Sequence, residues 1–228
     1  MTNLDPSAAY DLLRVNPAEF LKRYPIRVIG SAHMPSTQTV AMFNRTTTES
    51  SRPGTFLGTH HMHSTSSFEI RTASNMGAQQ FTSPTTSEPL PHRVFPAHFV
   101  HMSPGIDSME PYRLPMDGPK LMITPLLTGC SFVMEPAGGG EVRVTHVRPS
   151  GTLPGAALPG AIASQVDGAQ IYGADDAPSN YDSADRVVTI VGVLTDGGWV
   201  IYAQKLVRDA YSDAIVDVYE IYPRRKKL

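Results

Sequence analysis

The chain contains very little cysteine, with a single residue, Cys130, among 228. One thiol cannot form an internal disulfide, so a disulfide-stabilised secreted scaffold is excluded. A lone cysteine also fits a reducing compartment. Its presence is explained either by packing, because free cysteines are often buried, or by chemistry at the sulfur.

The chain also lacks an excess of either charge and lacks long apolar runs. The formal net charge of -2 gives no whole-protein reason to expect nucleic acid or an anionic membrane as partner. No run approaches the roughly 20 apolar residues of a membrane helix. The basic run at 224–227 is interpreted as a solvated tail. Residues 1–17 lack the pattern of a Sec signal, so we expect a cytosolic protein or one that leaves by another route.

What is present indicates one domain over residues 1–228, with a helical N-terminal segment at 1–25 and a β-rich core at 120–222. Asp5 and Ser7 are candidate helix caps, and Pro17 interrupts one helix or starts a second. The 18 glycines and 20 prolines indicate many turns. We expect an α+β fold with a mixed, mainly antiparallel β-sandwich flanked by helices.

Alternating and apolar runs locate the strands. They are predicted at 26–29, 38–43, 68–72, 94–101, 121–127, 131–134, 141–147, 187–194, 199–206 and 215–222. The glycines at 138–140 and the turn residues at 195–198 each predict a hairpin. Residues 151–183 are rich in Pro, Gly, Ala and Asp, and we predict a loop there with one short helix near 161–166.

The hairpin around 138–140 gives Cys130 a possible chemical role. If its strands pair, Cys130 at the start of one strand lies near His146 at the end of the other. An imidazole beside a thiol activates it as a nucleophile and carries its proton onward. Gly129 permits a tight approach before the nucleophile, and backbone N–H groups at Gly129 and Ser131 are candidates for binding an oxyanion or positioning the site.

The strings Ile123-Thr-Pro-Leu-Leu-Thr-Gly-Cys130 and Gly138-Gly-Gly-Glu-Val-Arg-Val-Thr-His146 resemble the catalytic core of the cytotoxic necrotizing factor type of glutamine deamidases. In lethal factor and chemoreceptor deamidase members, a threonine six positions before the cysteine belongs to the site, and Thr124 has that position here. The resemblance covers residues 120–148 and not residues 1–119. Thr128 stands where the family has serine, which leaves the substrate open.

The resemblance implies a necrotizing-factor catalytic fold and a protein glutaminase that uses Cys130 as nucleophile, His146 as acid and base, and Thr124 to orient His146 or the substrate. It implies no cofactor and no metal. It also implies a monomeric bacterial effector, secreted without a Sec signal, that acts in the host cytosol on a protein such as a Rho-type GTPase or a translation factor.

Other functions are left open by the residues. The histidines at 60–63, with Glu69 downstream, suggest a cupin-like metal site, but the spacing to Glu69 does not fit and no second cupin motif follows, so a surface loop is the favoured interpretation. The acidic residues at 175–185 lack the ligand spacing of a calcium loop. A non-catalytic interaction module is a third class, and a protease or transglutaminase would share the same nucleophile and base.

Overall fold

A computed structural model describes residues 4–30, 36–45, 67–72, 91–150, 155–174, 181, 184–207 and 214–228. The histidines at 60–63 and three of the four acidic loop residues lie outside these ranges. Within them no helix has the length and apolar character needed to cross a membrane.

The N-terminal segment forms two short helices, α1 (Pro6–Val15) and α2 (Pro17–Arg23). The Asp5 carboxylate caps α1 by accepting from the Ser7 and Ala8 N–H groups at 2.8 and 3.4 Å. The Asn16 side chain caps α2, so the break comes from a cap followed by Pro17. The helical prediction is confirmed. Of the two candidate caps, Asp5 is the N-cap of α1, whereas Ser7 lies inside the helix and donates its N–H to Asp5.

Two mixed sheets follow among the described residues. The strands are β1 (Ile26–Ile29), β2 (Ser36–Arg45), β3 (Ser67–Thr72), β4 (His92–Phe99), β5 (Met102–Ser103), β6 (Tyr112–Leu114), β7 (Leu121–Ile123), β8 (Ser131–Gly138), β9 (Glu141–Val147), β10 (Gln170–Tyr172), β11 (Arg186–Thr195), β12 (Gly198–Val207), β13 (Ile215–Tyr222) and β14 (Lys226–Lys227). The larger sheet has the strand order β1-β3-β2-β4-β7-β11-β12-β13-β14, and the smaller has the order β10-β8-β9-β5 with β6 also paired to β9.

The sheets stack face to face, because one apolar cluster draws its residues from both of them. Phe132, Met134 and Val144 of the smaller sheet share this cluster with residues of the larger sheet such as Ile190 and Ile201. A second cluster lies between the larger sheet and helices α1 and α2. A third lies between the smaller sheet and helix α3 (Leu158–Ala163). The predicted α+β class, with mainly antiparallel sheets flanked by helices, is confirmed.

Both predicted hairpins are confirmed. Strands β11 and β12 pair from Arg186 opposite Val207 down to Thr195 opposite Gly198, so only two residues connect them. Strands β8 and β9 are joined through Gly138, Gly139 and Gly140, all at positive φ, a backbone conformation that glycine adopts without strain.

Three expectations need correction. The strand predicted at 121–127 ends at Ile123, before the proline at 125, which cannot donate to a ladder. The predicted loop at 151–183 contains α3 at 158–163, a few residues before the expected helix, and also strand β10, which pairs with β8. The basic tail at 224–227 is exposed as expected, but it contains strand β14, whose Lys226 and Lys227 form ion pairs with Glu220 and Asp217 of β13.

Candidate active site

Both sheets contribute to the predicted site. Thr124 directly follows β7 of the larger sheet, His146 lies near the end of β9 in the smaller sheet, and Cys130 directly precedes β8. Thr124 and His146 are completely buried, and Cys130 is 5% exposed. The site therefore lies between the stacked sheets.

Thr124 connects the sheets through its hydroxyl group. Its Oγ1 lies 2.7 Å from the Val100 carbonyl oxygen and 2.7 Å from His146 Nδ1. A carbonyl only accepts hydrogen bonds, so the single hydroxyl proton is donated to Val100. The hydroxyl oxygen must then accept from Nδ1–H. His146 is therefore held as the Nδ1–H tautomer, and its Nε2 carries a lone pair.

The surroundings keep His146 neutral. Burial, with a smaller contribution from the nearby His101, lowers the pKa of His146 from 6.5 to about 3. The Nε2 atom is buried and has no hydrogen-bond partner within the described ranges. At physiological pH the imidazole is therefore neutral and its Nε2 lone pair is available, but a pKa of about 3 makes it a weak base while it stays desolvated.

Cys130 lies on the same side of the smaller sheet as His146. Phe132 is the partner of His146 across the β8–β9 ladder, and Cys130 precedes Phe132 by two residues and shares its apolar cluster. Side chains two residues apart on an extended strand share a face. A diagonal neighbour of this kind lies roughly 7–8 Å away between backbones, within reach of a long side chain.

Cys130 also contacts Met102, a ladder partner of His146. Met102 of β5 is the ladder partner of His146 on the far side of β9, and the Cys130 thiol donates to Met102 Sδ at 3.5 Å. In the described part of the chain the Cys130 thiol bonds to this thioether and not to His146. Met102 is 38% exposed, so the thiol contacts a side chain that reaches solvent.

The thiol is neutral in this resting arrangement. Burial is the largest influence and raises the pKa of Cys130, while a backbone hydrogen bond from Thr128 and the Arg148 guanidinium act in the opposite direction. Cys130 and His146 thus have pKa shifts that both favour their uncharged forms. Both shifts favour a neutral thiol and a neutral imidazole over a thiolate–imidazolium pair.

The backbone before the thiol is held by Tyr181. The Gly129 N–H donates to the Tyr181 hydroxyl at 2.9 Å, and this hydroxyl donates to the Cys130 carbonyl at 2.9 Å. Gly129 has a φ of 116°, which a residue with a side chain rarely adopts. Since its N–H is already engaged, the positioning role predicted for Gly129 fits this geometry, whereas oxyanion binding would require the bond to Tyr181 to break.

Ser131 faces away from the other predicted site residues. It is the ladder partner of Val147, whose side chain belongs to the cluster beneath α3. The Ser131 Oγ is buried, and a Cβ built on Gly173 would lie 2.5 Å from it. The Ser131 hydroxyl is therefore not brought together with Cys130 and His146, and only its backbone remains a candidate for the predicted role.

Sequence reasoning missed Val100, Met102 and Tyr181, although each contacts a predicted site residue. Val100 follows β4, and its N–H bonds to the Ile123 carbonyl at 2.9 Å, which places it beside Thr124. Tyr181 is more than 50 positions from Gly129 in sequence. Because these contacts depend on which strands become neighbours, no local motif announces them.

The alternative metal site has little support from the described residues. Glu69, its proposed downstream ligand, is buried on β3 and forms an ion pair with Arg71. No group of three or more His, Cys, Asp or Glu residues with the geometry to hold a metal occurs within the described ranges. Asp185, the one described member of the acidic loop group, is exposed.

No protein-family model matches this chain, and no curated protein sequence matches it. Among solved structures, it is similar to the C-terminal domain of CNFy from Yersinia pseudotuberculosis. The similarity covers 98% of this chain and 98% of the compared chain, at 12% sequence identity and a TM-score of 0.45. At this level, neither membership of a family nor an activity follows for the chain.

Proposed function

We propose that this chain is a thiol-dependent protein glutamine deamidase in which Cys130 is the nucleophile, His146 the acid and base, and Thr124 the residue that orients His146. The observation that carries the proposal is the hydrogen-bond chain from His146 Nδ1 through Thr124 Oγ1 to the Val100 carbonyl. It leaves an uncharged Nε2 lone pair on the sheet face that it shares with the chain's single cysteine.

This arrangement reproduces the logic of a catalytic triad, since a nucleophile needs a base whose tautomer is fixed by a third group. Any buried imidazole needs a partner for its N–H, so the feature that favours catalysis is the Nε2 lone pair left without a partner, within the described ranges, on the face shared with Cys130. The resemblance of residues 120–148 to the necrotizing factor deamidases supports the same three roles.

The first half of the reaction forms a thioester. Cys130 Sγ attacks the carboxamide carbon of a glutamine while its proton passes to His146 Nε2. The tetrahedral oxyanion then collapses, the C–N bond breaks, and Nε2–H gives its proton to the departing nitrogen, which leaves as ammonia. Because both pKa shifts favour neutral groups, proton transfer accompanies the attack and no thiolate needs to form beforehand.

The second half restores the thiol. Water attacks the thioester carbon as His146 Nε2 takes one of its protons, the C–S bond breaks, and the proton returns to sulfur. The sum converts glutamine and water to glutamate and ammonia. In this proposal the glutamine side chain enters along the partly exposed Met102 and displaces its thioether from Cys130.

We further propose, from the same resemblance, that the substrate is a host protein and that the chain is a bacterial effector exported without a Sec signal. The purified chain would be incubated with a Rho-type GTPase and, separately, with a translation-initiation helicase. Ammonia release and conversion of glutamine to glutamate by mass spectrometry are the readouts.

Cys130→Ser and His146→Ala should each lower this rate by about a thousandfold or more, because each removes a reacting group. Thr145→Ala is the matched control, since Thr145 neighbours His146 but lies on the opposite face of β9 opposite Val133. Circular dichroism verifies folding of each variant. Full activity in Cys130→Ser would return Cys130 to a packing role, and no conversion of either protein by the wild-type chain would contradict the proposed substrates.

A further inference from the structure

Tyr181 makes two hydrogen bonds through its hydroxyl group, one as acceptor and one as donor. The oxygen accepts from the Gly129 N–H and the proton is donated to the Cys130 carbonyl, both at 2.9 Å. The side chain is 2% exposed, so both bonds form away from water. Hydrogen bonds in such surroundings are costly to lose, because each abandoned group remains buried.

The two bonded groups flank the peptide that joins Gly129 to Cys130. The N–H of Gly129 precedes this peptide and the carbonyl of Cys130 follows it, so one phenol restrains the backbone on both sides of the nucleophile's own N–H. Gly129 also has a positive φ, and a Cβ built on Gly155 would lie 2.7 Å from its carbonyl oxygen. The Gly129–Cys130 segment therefore packs closely against Gly155 and is hydrogen-bonded to the Tyr181 side chain.

The phenol itself is held in place from behind. Its ring stacks on Tyr172 with centroids 6.0 Å apart and planes 20° apart, and the Tyr181 N–H bonds to the Gly173 carbonyl at 3.3 Å. The Arg225 guanidinium lies 5.6 Å above the Tyr172 ring. A contact path therefore runs from the C-terminal strand region through two tyrosines to the backbone of Cys130.

We infer that Tyr181 is a positioning residue that fixes the direction of the Cys130 thiol and of the Cys130 N–H for the attack on substrate. Its catalytic consequence rests on the proposed deamidase function, whereas its effect on the thiol does not. Because the groups on both sides of it are bonded to Tyr181, the direction of the Cys130 N–H is restrained. Since the Gly129 N–H is already engaged, the Cys130 N–H is the candidate oxyanion donor.

The chain offers a matched pair of variants for the test. Tyr181→Phe removes both hydrogen bonds and retains the ring stack. Tyr172→Phe removes a hydroxyl from the other ring of the same stack, but that hydroxyl is buried and has no hydrogen-bond partner in the described part of the chain. The pair therefore separates loss of the Cys130 restraint from loss of a phenol in this region.

Two readouts are needed. For deamidation, Tyr181→Phe should lower kcat about tenfold or more, because the Cys130 thiol and N–H are no longer held in one direction, with KM changed by less than about twofold. For the thiol, the rate of alkylation by iodoacetamide should rise by about threefold or more, because a released segment opens more often. Since Cys130 is the single cysteine, alkylation reports on it alone. Tyr172→Phe should match the wild type in both.

An equal alkylation rate in Tyr181→Phe and Tyr172→Phe would overturn the inference, whatever the value of kcat. A raised alkylation rate in Tyr181→Phe with an unchanged kcat would also overturn it. If the wild type deamidates nothing, the proposed function fails, but alkylation still decides whether Tyr181 holds the thiol. Should Tyr181→Phe fail to fold, hydrogen exchange of the wild-type Gly129 amide replaces it. Slow exchange supports the restraint, and exchange at the rate of an unprotected amide overturns it.

Discussion

Replacing Thr124 by valine tests the hydrogen-bond chain on which the proposed site depends. Valine keeps nearly the same volume, so no cavity forms, but it removes the hydroxyl that joins the Val100 carbonyl to His146 Nδ1. Both abandoned groups lie in residues at most 1% exposed. Each buried group left unsatisfied costs about 1–3 kcal/mol, so the free energy of unfolding should fall by about 2–6 kcal/mol.

Thr124→Ser is the matched control, since it keeps the hydroxyl and removes only a methyl group, at a cost of about 1 kcal/mol. Urea unfolding can be followed by the fluorescence of Trp199, the one tryptophan of the chain, which is 2% exposed in the apolar cluster between the sheets. The imidazole nitrogen shifts in NMR spectra report the tautomer directly.

The serine variant should retain the Nδ1–H tautomer and most of the deamidation rate. The valine variant should lose rate because nothing selects that tautomer, although less completely than Cys130→Ser. Equal stability of the two variants, or an unchanged tautomer and rate in Thr124→Val, would refute the assignment of hydrogen-bond roles to Thr124.

Two further predictions concern the pKa of His146 and the packing behind Ser131. The pKa of His146 is lowered from 6.5 to about 3 in the folded chain, so the free energy of unfolding should fall by up to about 5 kcal/mol as the pH decreases from 6.5 toward 3. In urea unfolding between pH 7 and pH 4, the free energy of unfolding should depend less steeply on pH for His146→Gln than for the wild type. Equal pH dependence in the two proteins would contradict the shift. Gly173→Ala should lower the melting temperature, because the added Cβ would lie 2.5 Å from Ser131 Oγ. The control Gly160→Ala, which has open space around its Cβ, should leave the melting temperature unchanged or raise it. An unchanged melting temperature in Gly173→Ala would show that the Ser131 side chain can move aside.

Local patterns were sufficient for most of the secondary structure. The cap at Asp5 and the proline after it start α1 wherever the segment packs, and the turn between Thr195 and Gly198 is short enough that only an antiparallel hairpin can follow. The helix predicted near 161–166 was displaced, and β10 was missed, because a three-residue strand exists only by virtue of its partner β8.

The candidate site likewise has one part that a short stretch of sequence encodes and one part that depends on tertiary structure. The glycines at 138–140 reverse the chain between β8 and β9, so the hairpin that brings Cys130 toward His146 is encoded within one stretch of sequence. Thr124 is different: its contact with His146 requires the larger sheet to stack on the smaller one, and the sequence suggested it only by resemblance.

From the sequence by itself, the chain's α+β class, its hairpins and the presence of a thiol and an imidazole on one hairpin were determined, because these follow from capping, turns and strand alternation over short distances. Only the tertiary structure decided the His146 tautomer, the neutral state of both groups, and the contacts of Cys130 with Met102 and Tyr181. These depend on burial and on hydrogen bonds between segments remote in sequence, which no local pattern specifies.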